Sequence, residues 1–176
     1  MAIKIIVAVS ENGVIGKDNA IPWRQKYDMK MFKDRTIGNI VVMGSKTYDS
    51  LGQKPLKDRT NIIVTSNIDR YKSAHDNHKL PIVFSTTFQY AMDTAKKFAE
   101  SFNNNIFIIG GENIYRQALN EVKIDQILLT RIHVTLDGDR FFPELDNSWS
   151  LVSSIINFPA DVDNTYPYSF QVYEKQ

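Results

Sequence analysis

Hydrophobic and polar positions in this chain follow two rhythms. Short, largely apolar runs occur at Ile3 to Val9, Asn39 to Met43, Asn61 to Thr65, Pro81 to Ser85 and Ile106 to Ile109. Unbroken runs of this length, rich in β-branched residues, predict strands buried on both faces. Between them the spacing becomes helical. Helices are predicted from about Lys26 to Arg35, over Tyr48 to Leu51, and from about Glu112 to Asn120. The clearest helix opens at a capping box, Thr86-x-x-Gln89, and aligns Ala91, Ala95, Phe98, Ala99 and Phe102 before Asn103-Asn104-Asn105 stops it. A long strand, Ile124 to Val134, and two late ones, Ser150 to Phe158 and Tyr168 to Tyr173, complete the pattern. The order predicts an α/β fold in one domain, residues 1–176. Its mostly parallel central sheet should have about eight strands with an antiparallel C-terminal edge, flanked by about four helices. No repeat, low-complexity tract or linker interrupts it, and Asp69 to Lys79 reads as the most mobile loop.

One stretch departs from simple patterning. Polar residues from Gly16 to Ala20 meet a stiff Ile21-Pro22-Trp23 corner, and the helix that follows carries Asp28 among apolar neighbours. Proline bars Ile21 from helix, so the helix begins only after the corner. Asp28 and Phe32 are four apart and share a face, with Met29 beside them. Such an acid is either a solvated helix-start residue or a functional carboxylate in an apolar pocket, and for a lone Asp the first is the commoner case.

Composition narrows the classes of function. Lys and Arg number 21 against 20 Asp and Glu, so no basic field exists to hold nucleic acid or an anionic membrane. Without Cys there is no disulfide, thiol nucleophile or thiolate metal site, which fits a reducing compartment. His75, His78 and His133 show no metal-ligand spacing, and no metal is expected. The apolar run in Met1 to Ser10 is shorter than a signal-peptide core, and no window is long enough to span a bilayer. The expectation is a cytoplasmic protein, with nothing requiring more than a monomer.

Two strands end in glycine and run into a helix start: Met43-Gly44-Ser45-Lys46-Thr47 and Ile109-Gly110-Gly111-Glu112-Asn113. Helix N-termini present free N–H groups and partial positive charge, and glycine admits an anion to the backbone. Neither turn is a P-loop or a G-x-G-x-x-G fingerprint, which disfavours a P-loop NTPase and a Rossmann dehydrogenase.

Taken together, these pieces resemble the dihydrofolate reductase family. The matching segments are Ala8 to Gly16, Ile21-Pro22-Trp23, Asp28 with Phe32, Met43-Gly44-x-Lys46-Thr47, and Leu56 with Arg59. Further along come Ile108-Ile109-Gly110-Gly111 with Ile114-Tyr115, then Thr130, then Gly138-Asp139-x-x-Phe142-Pro143. The resemblance implies NADPH-dependent reduction of 7,8-dihydrofolate, with hydride delivered to pterin C6 and a proton to N5. It implies that Asp28 hydrogen-bonds the pterin and that Trp23 holds a proton-donating water. Ile6 and Ile109 would offer backbone carbonyls, Ala8, Met29, Phe32, Leu51 and Leu56 would wall the pocket, and Thr130 would fix the Asp28 network. Tyr115 would border both ligands, and Arg59 would pair with the substrate's glutamate α-carboxylate.

On the cofactor side, the resemblance points to Ala8, Ile15, Gly16, Asn19, Ala20, Gly44, Ser45, Lys46, Thr47, Thr65, Ser66 and Asn67. It also points to Ile109, Gly110, Gly111 (a cis pair in the family), Glu112, Asn113, Ile114 and Tyr115. Residues 10–24 resemble the family's lid over the nicotinamide, with Asp139 supporting it. Ser45 and Asn113 stand where many bacterial members carry Arg, which leaves Lys46, Thr65, Ser66 and Asn67 to read the 2′-phosphate. Glu112 replaces a small residue and would repel a pyrophosphate unless it turns outward. The segment between Ser66 and Ile106 is longer than in compact bacterial members and reads as a surface insertion. Competing readings are a pyrimidine reductase of the same fold, disfavoured by Asp28, Phe32 and Arg59, and an idle structural or binding protein.

Overall fold

β1 (Ile3–Ser10) lies inside an eight-stranded sheet ordered β5-β4-β3-β6-β1-β7-β10-β9. The structure, a computed structural model, describes residues 1–71 and 82–176, within which the side chains at 156 and 157 are not described. β1 runs parallel to β6 (Ile106–Ile108) on one side and to β7 (Gln126–Ile132) on the other. β3 (Ile40–Gly44), β4 (Thr60–Val64) and β5 (Ile82–Ser85) continue the parallel order beyond β6. Past β7, β10 (Tyr168–Lys175) and β9 (Trp149–Phe158) are antiparallel, so the predicted C-terminal edge is present. The carboxyl ends of β1, β3 and β6 therefore point the same way, and β6 and β7 flank β1 although they are consecutive. That crossover creates a crevice at which α/β sheets bind ligands.

Alternate side chains of the central strands serve two cores. Ile5, Val42, Ile62 and Ile108 are fully buried on one face, against α3 (Phe88–Phe102) and α4 (Glu112–Glu121). Ile6, Val41, Met43, Ile63 and Phe107 face the other way, with Tyr48 and Tyr71. Burying each such aliphatic side chain contributes about 1.5–3 kcal/mol. Phe32, Leu51, Leu56 and Ile109 rim this second core and are only partly buried. An incompletely covered apolar rim is what a ligand cleft requires.

α1 (Lys26–Thr36) begins without a side-chain cap of its own. The chain near residue 164 supplies one: Asn164 Oδ1 accepts from Tyr27 N at 3.1 Å, and Asp163 O from Lys26 N at 3.1 Å. Buried Gln25 locks the junction by exchanging two 2.9 Å hydrogen bonds with the Tyr166 backbone.

Several expectations are corrected. α2 (Ser45–Ser50) starts at Ser45 rather than Tyr48, because extended Gly44 serves as its N-cap. The N-cap of α3 is Thr87, whose side chain accepts from Tyr90 N, while Gln89 bonds Asp93 instead of closing a capping box. The helical stripe holds for Ala91, Ala95 and Ala99, but Phe102 is exposed at the helix end and Met92 and Phe88 are buried instead. Ile68–Tyr71 forms a 3-10 turn with Tyr71 stacked on Phe84 at 5.3 Å, so the predicted mobile loop does not begin at Asp69. The remainder of that loop, with His75 and His78, lies outside the described residues, as does Pro81 at the start of the predicted fourth strand. Within the segment after Ser66, β5 and α3 are core elements, and residues 72–81 lie outside the described residues. A short sheet went unforeseen: β2 (Val14–Gly16) pairs antiparallel with β8 (Arg140–Phe141). Among the described residues no helix is long and apolar enough to cross a membrane.

Candidate active site

A cleft of 310 Å³ opens between the Ile21–Gln25 corner and α1, lined by Ile21, Trp23, Arg24, Gln25, Lys26, Asp28 and Met29. Asp28 sits in the first turn of α1. Its Oδ1 accepts from Thr130 Oγ1 at 2.6 Å. β1 and β7 are in register at Ala8 and Thr130, which carries Ala8 to the same place. Burial pushes the Asp28 carboxyl above the usual aspartate range, with the Thr130 bond and the Arg35 charge partly opposing. Met29 lies at the cleft mouth rather than beneath the acid and is exposed. Phe32, one turn after Asp28, turns inward to the rim with Leu51, Leu56 and Ile109.

Arg59 marks the far end of this apolar wall. Its guanidinium lies 6.0 Å from the Phe32 ring centre. Nη1 donates to Thr36 Oγ1 at 2.9 Å and Nε to Lys57 O at 3.0 Å. Among the described residues these bonds engage two of its five N–H groups, which leaves donors for a carboxylate. The Thr36 hydroxyl in turn donates to Phe32 O at 2.7 Å, so helix α1 orients the arginine.

The two glycine turns adjoin one another. Gly44 N donates to Gly110 O at 2.8 Å. The Gly110–Gly111 peptide is cis, as the resemblance implied. A Cβ at Gly44 would come 3.0 Å from Ile114 Cγ1, one at Gly110 3.1 Å from the Tyr115 ring, and one at Gly111 3.4 Å from Thr47 Oγ1. A side chain at Gly44 or Gly110 would thus crowd Ile114 or the Tyr115 ring, whereas Gly111 has nearly ordinary room. Neither α2 nor α4 has a side-chain cap, so their first-turn N–H groups are open to an anion. Nearby, Thr65 Oγ1 accepts from Asn67 N at 3.2 Å, and Lys46, Ser66 and Asn67 are exposed. Glycine turns, open helix starts and an exposed lysine form a donor set that fits a phosphorylated dinucleotide.

Tyr115 links this region to β1. Its hydroxyl donates to Ile6 O at 2.9 Å, and burial raises the phenol well above the usual tyrosine value, so it remains a neutral donor. Above the cleft, the loop carrying Ile15, Gly16, Asn19 and Ala20 rests on β8. Asp139 N donates to Gly16 O at 3.1 Å, and the Asp139 carboxylate accepts from Asp18 N at 3.1 Å.

The dihydrofolate reductase family model matches residues 2–175. The chain belongs to the dihydrofolate reductase family. It is 37% identical to the dihydrofolate reductase of Bacillus subtilis (strain 168), with 99% of this chain and 95% of that one covered. To the Haemophilus influenzae dihydrofolate reductase it is 33% identical, with 100% of both chains covered. A solved structure of dihydrofolate reductase from Enterococcus faecalis, complexed with NADP(H) and RAB-propyl, superposes with a TM-score of 0.81 at 31% identity. That match covers 99% of this chain and 96% of the other.

Within this family site, reading the sequence missed Gln25, Asn164 and Tyr166, which hold the corner and the start of α1. No local pattern pairs residue 25 with residue 166. Asn113 and Arg116 on α4 are exposed, and Asn113 brings no charge to the crevice.

Proposed function

We propose that the chain reduces 7,8-dihydrofolate to 5,6,7,8-tetrahydrofolate with NADPH, in the cleft beside Asp28. The observation that carries this reading is the Asp28 carboxylate in the cleft lining, bonded by Thr130 at 2.6 Å and carried on the helix whose Phe32 rims the apolar core with Leu51, Leu56 and Ile109. Bound NADPH supplies the hydride. The chain's own residues align, desolvate and polarise the pterin.

Asp28 bonds the pterin's N3 and 2-amino edge, and its charge favours a proton at N5. Water delivers the proton. Trp23, in the cleft lining, holds that water through its indole N–H. Phe32, Leu51 and Leu56 sandwich the substrate's middle portion, and Arg59 takes its α-carboxylate. Gly44, Gly110 and Gly111 admit the pyrophosphate, while Lys46, Thr65, Ser66 and Asn67 take the 2′-phosphate. Residues 10–24 close over the reacting rings and exclude water. The chain works as one domain, residues 1–176, and as a cytoplasmic monomer. Its near-zero net charge of +1 supports action on small molecules rather than nucleic acid.

The test is direct: purified protein, NADPH and dihydrofolate are mixed and the reduced-nicotinamide absorbance followed. Loss of absorbance that requires both ligands is expected. A folded protein that binds NADPH but leaves dihydrofolate unreduced would overturn the reading.

A further inference from the structure

Glu112 opens α4 immediately after Gly111, where an acid favours the helix dipole but would oppose a phosphate. Its carboxylate is committed in two directions. Oε1 pairs with Arg116 Nη2 at 2.9 Å, one turn along the helix. Oε2 accepts from the backbone N–H of Phe141 at 3.1 Å. Phe141 belongs to β8, the two-residue strand on which β2 of the lid rests. Both β8 residues are exposed, so burial does little to hold the strand in place. Its flanks carry the lid: Phe142 N donates to Gly13 O at 2.9 Å, and Asp139 N to Gly16 O at 3.1 Å. The Phe142 ring meets Tyr115 of α4 edge-on at 5.2 Å, which gives the same junction an apolar half.

We propose that Glu112 is a positioning residue that fastens β8 to the start of α4. The Gly110–Gly111 turn and the lid then move as one unit. The proposal rests on the cofactor reading above and adds a role toward the lid. The Arg116 pair holds the carboxylate to the side, so one side chain both turns its charge off the turn and anchors the strand.

A charge effect and a fastening effect predict opposite signs for Glu112→Ala. Were Glu112 only a negative charge beside the phosphates, its removal would tighten NADPH binding. As a fastener, its loss frees the lid and weakens binding several-fold despite the lost charge. Amide hydrogen exchange on cofactor-free protein reads the tie directly. Glu112→Ala should speed exchange at Phe141 and across residues 14–18 by roughly tenfold, the scale of one hydrogen bond to a charged acceptor. Glu112→Gln keeps a side-chain carbonyl for Phe141 N and should restore most of the protection. Unchanged exchange in Glu112→Ala, tighter NADPH binding in that variant, or failure of Glu112→Gln to rescue would overturn the proposal. Exchange is measured without cofactor, so a wild-type protein that failed to reduce dihydrofolate would refute the reductase reading separately.

Discussion

Thr130 donates its hydroxyl to Asp28 at 2.6 Å, joining residues 102 positions apart in the chain. That bond engages one of the acid's two oxygens, on a residue that lines the cleft. Asp28→Asn keeps an acceptor for Thr130 but removes the charge. Turnover at neutral pH should fall by roughly two to three orders of magnitude. Part of it should return at acid pH, where substrate arrives already protonated. A pH–rate profile of both proteins checks this, and an unchanged neutral rate would remove Asp28 from the mechanism.

The same substitution has a stability consequence of opposite sense. Burial raises the Asp28 pKa in the folded protein above its unfolded value. The folded state therefore holds the proton more tightly, and stability declines as pH rises from the unfolded to the folded pKa. Asp28→Asn removes that loss. The variant should melt higher than wild type at neutral pH, and the advantage should vanish once pH falls below the unfolded aspartate range. Thermal melts at several pH values decide it.

Arg59 is braced by Thr36, Lys57 and the Phe32 ring, so the fork is oriented before substrate arrives. Lysine cannot make the Thr36 and Lys57 bonds while presenting a planar pair of donors. Arg59→Lys should raise the KM for dihydrofolate roughly tenfold, with kcat and the KM for NADPH nearly constant. Steady-state kinetics with each substrate varied will show the split. A selective rise in the NADPH KM would show that the carboxylate end is elsewhere.

Gly138 sits directly beneath the lid. A Cβ there would lie 2.3 Å from Val14 Cγ1 and 2.9 Å from Gly16 O, so β2 must shift to admit any side chain. Gly138→Ala should lower kcat roughly tenfold or more by misplacing the lid, while Tm changes little. Adding Val14→Ala relieves the closer contact and should recover part of the loss, which a double-mutant cycle measures.

Much of this was written locally in the chain. Strands β1, β3, β4 and β6 announced themselves as unbroken β-branched runs, and the helix beginning at Lys26 followed from the Ile21-Pro22-Trp23 corner. Gly110–Gly111, Asp28 and Arg59 were recognisable by residue type, order and spacing, because their neighbours in sequence carry the motif. Their placement in space was another matter. The start of α1 is capped by Asn164, Asp28 is held by Thr130, and β2 pairs with a two-residue strand at Arg140–Phe141. Each of these contacts spans more than a hundred residues. Periodicity and propensity report a residue's preference for its own backbone state, whereas hydrogen bonds across such distances exist only after the sheet has ordered its strands. The sequence alone thus determined which chemistry was carried, and the fold decided which groups meet, since pairing is a property of three-dimensional register.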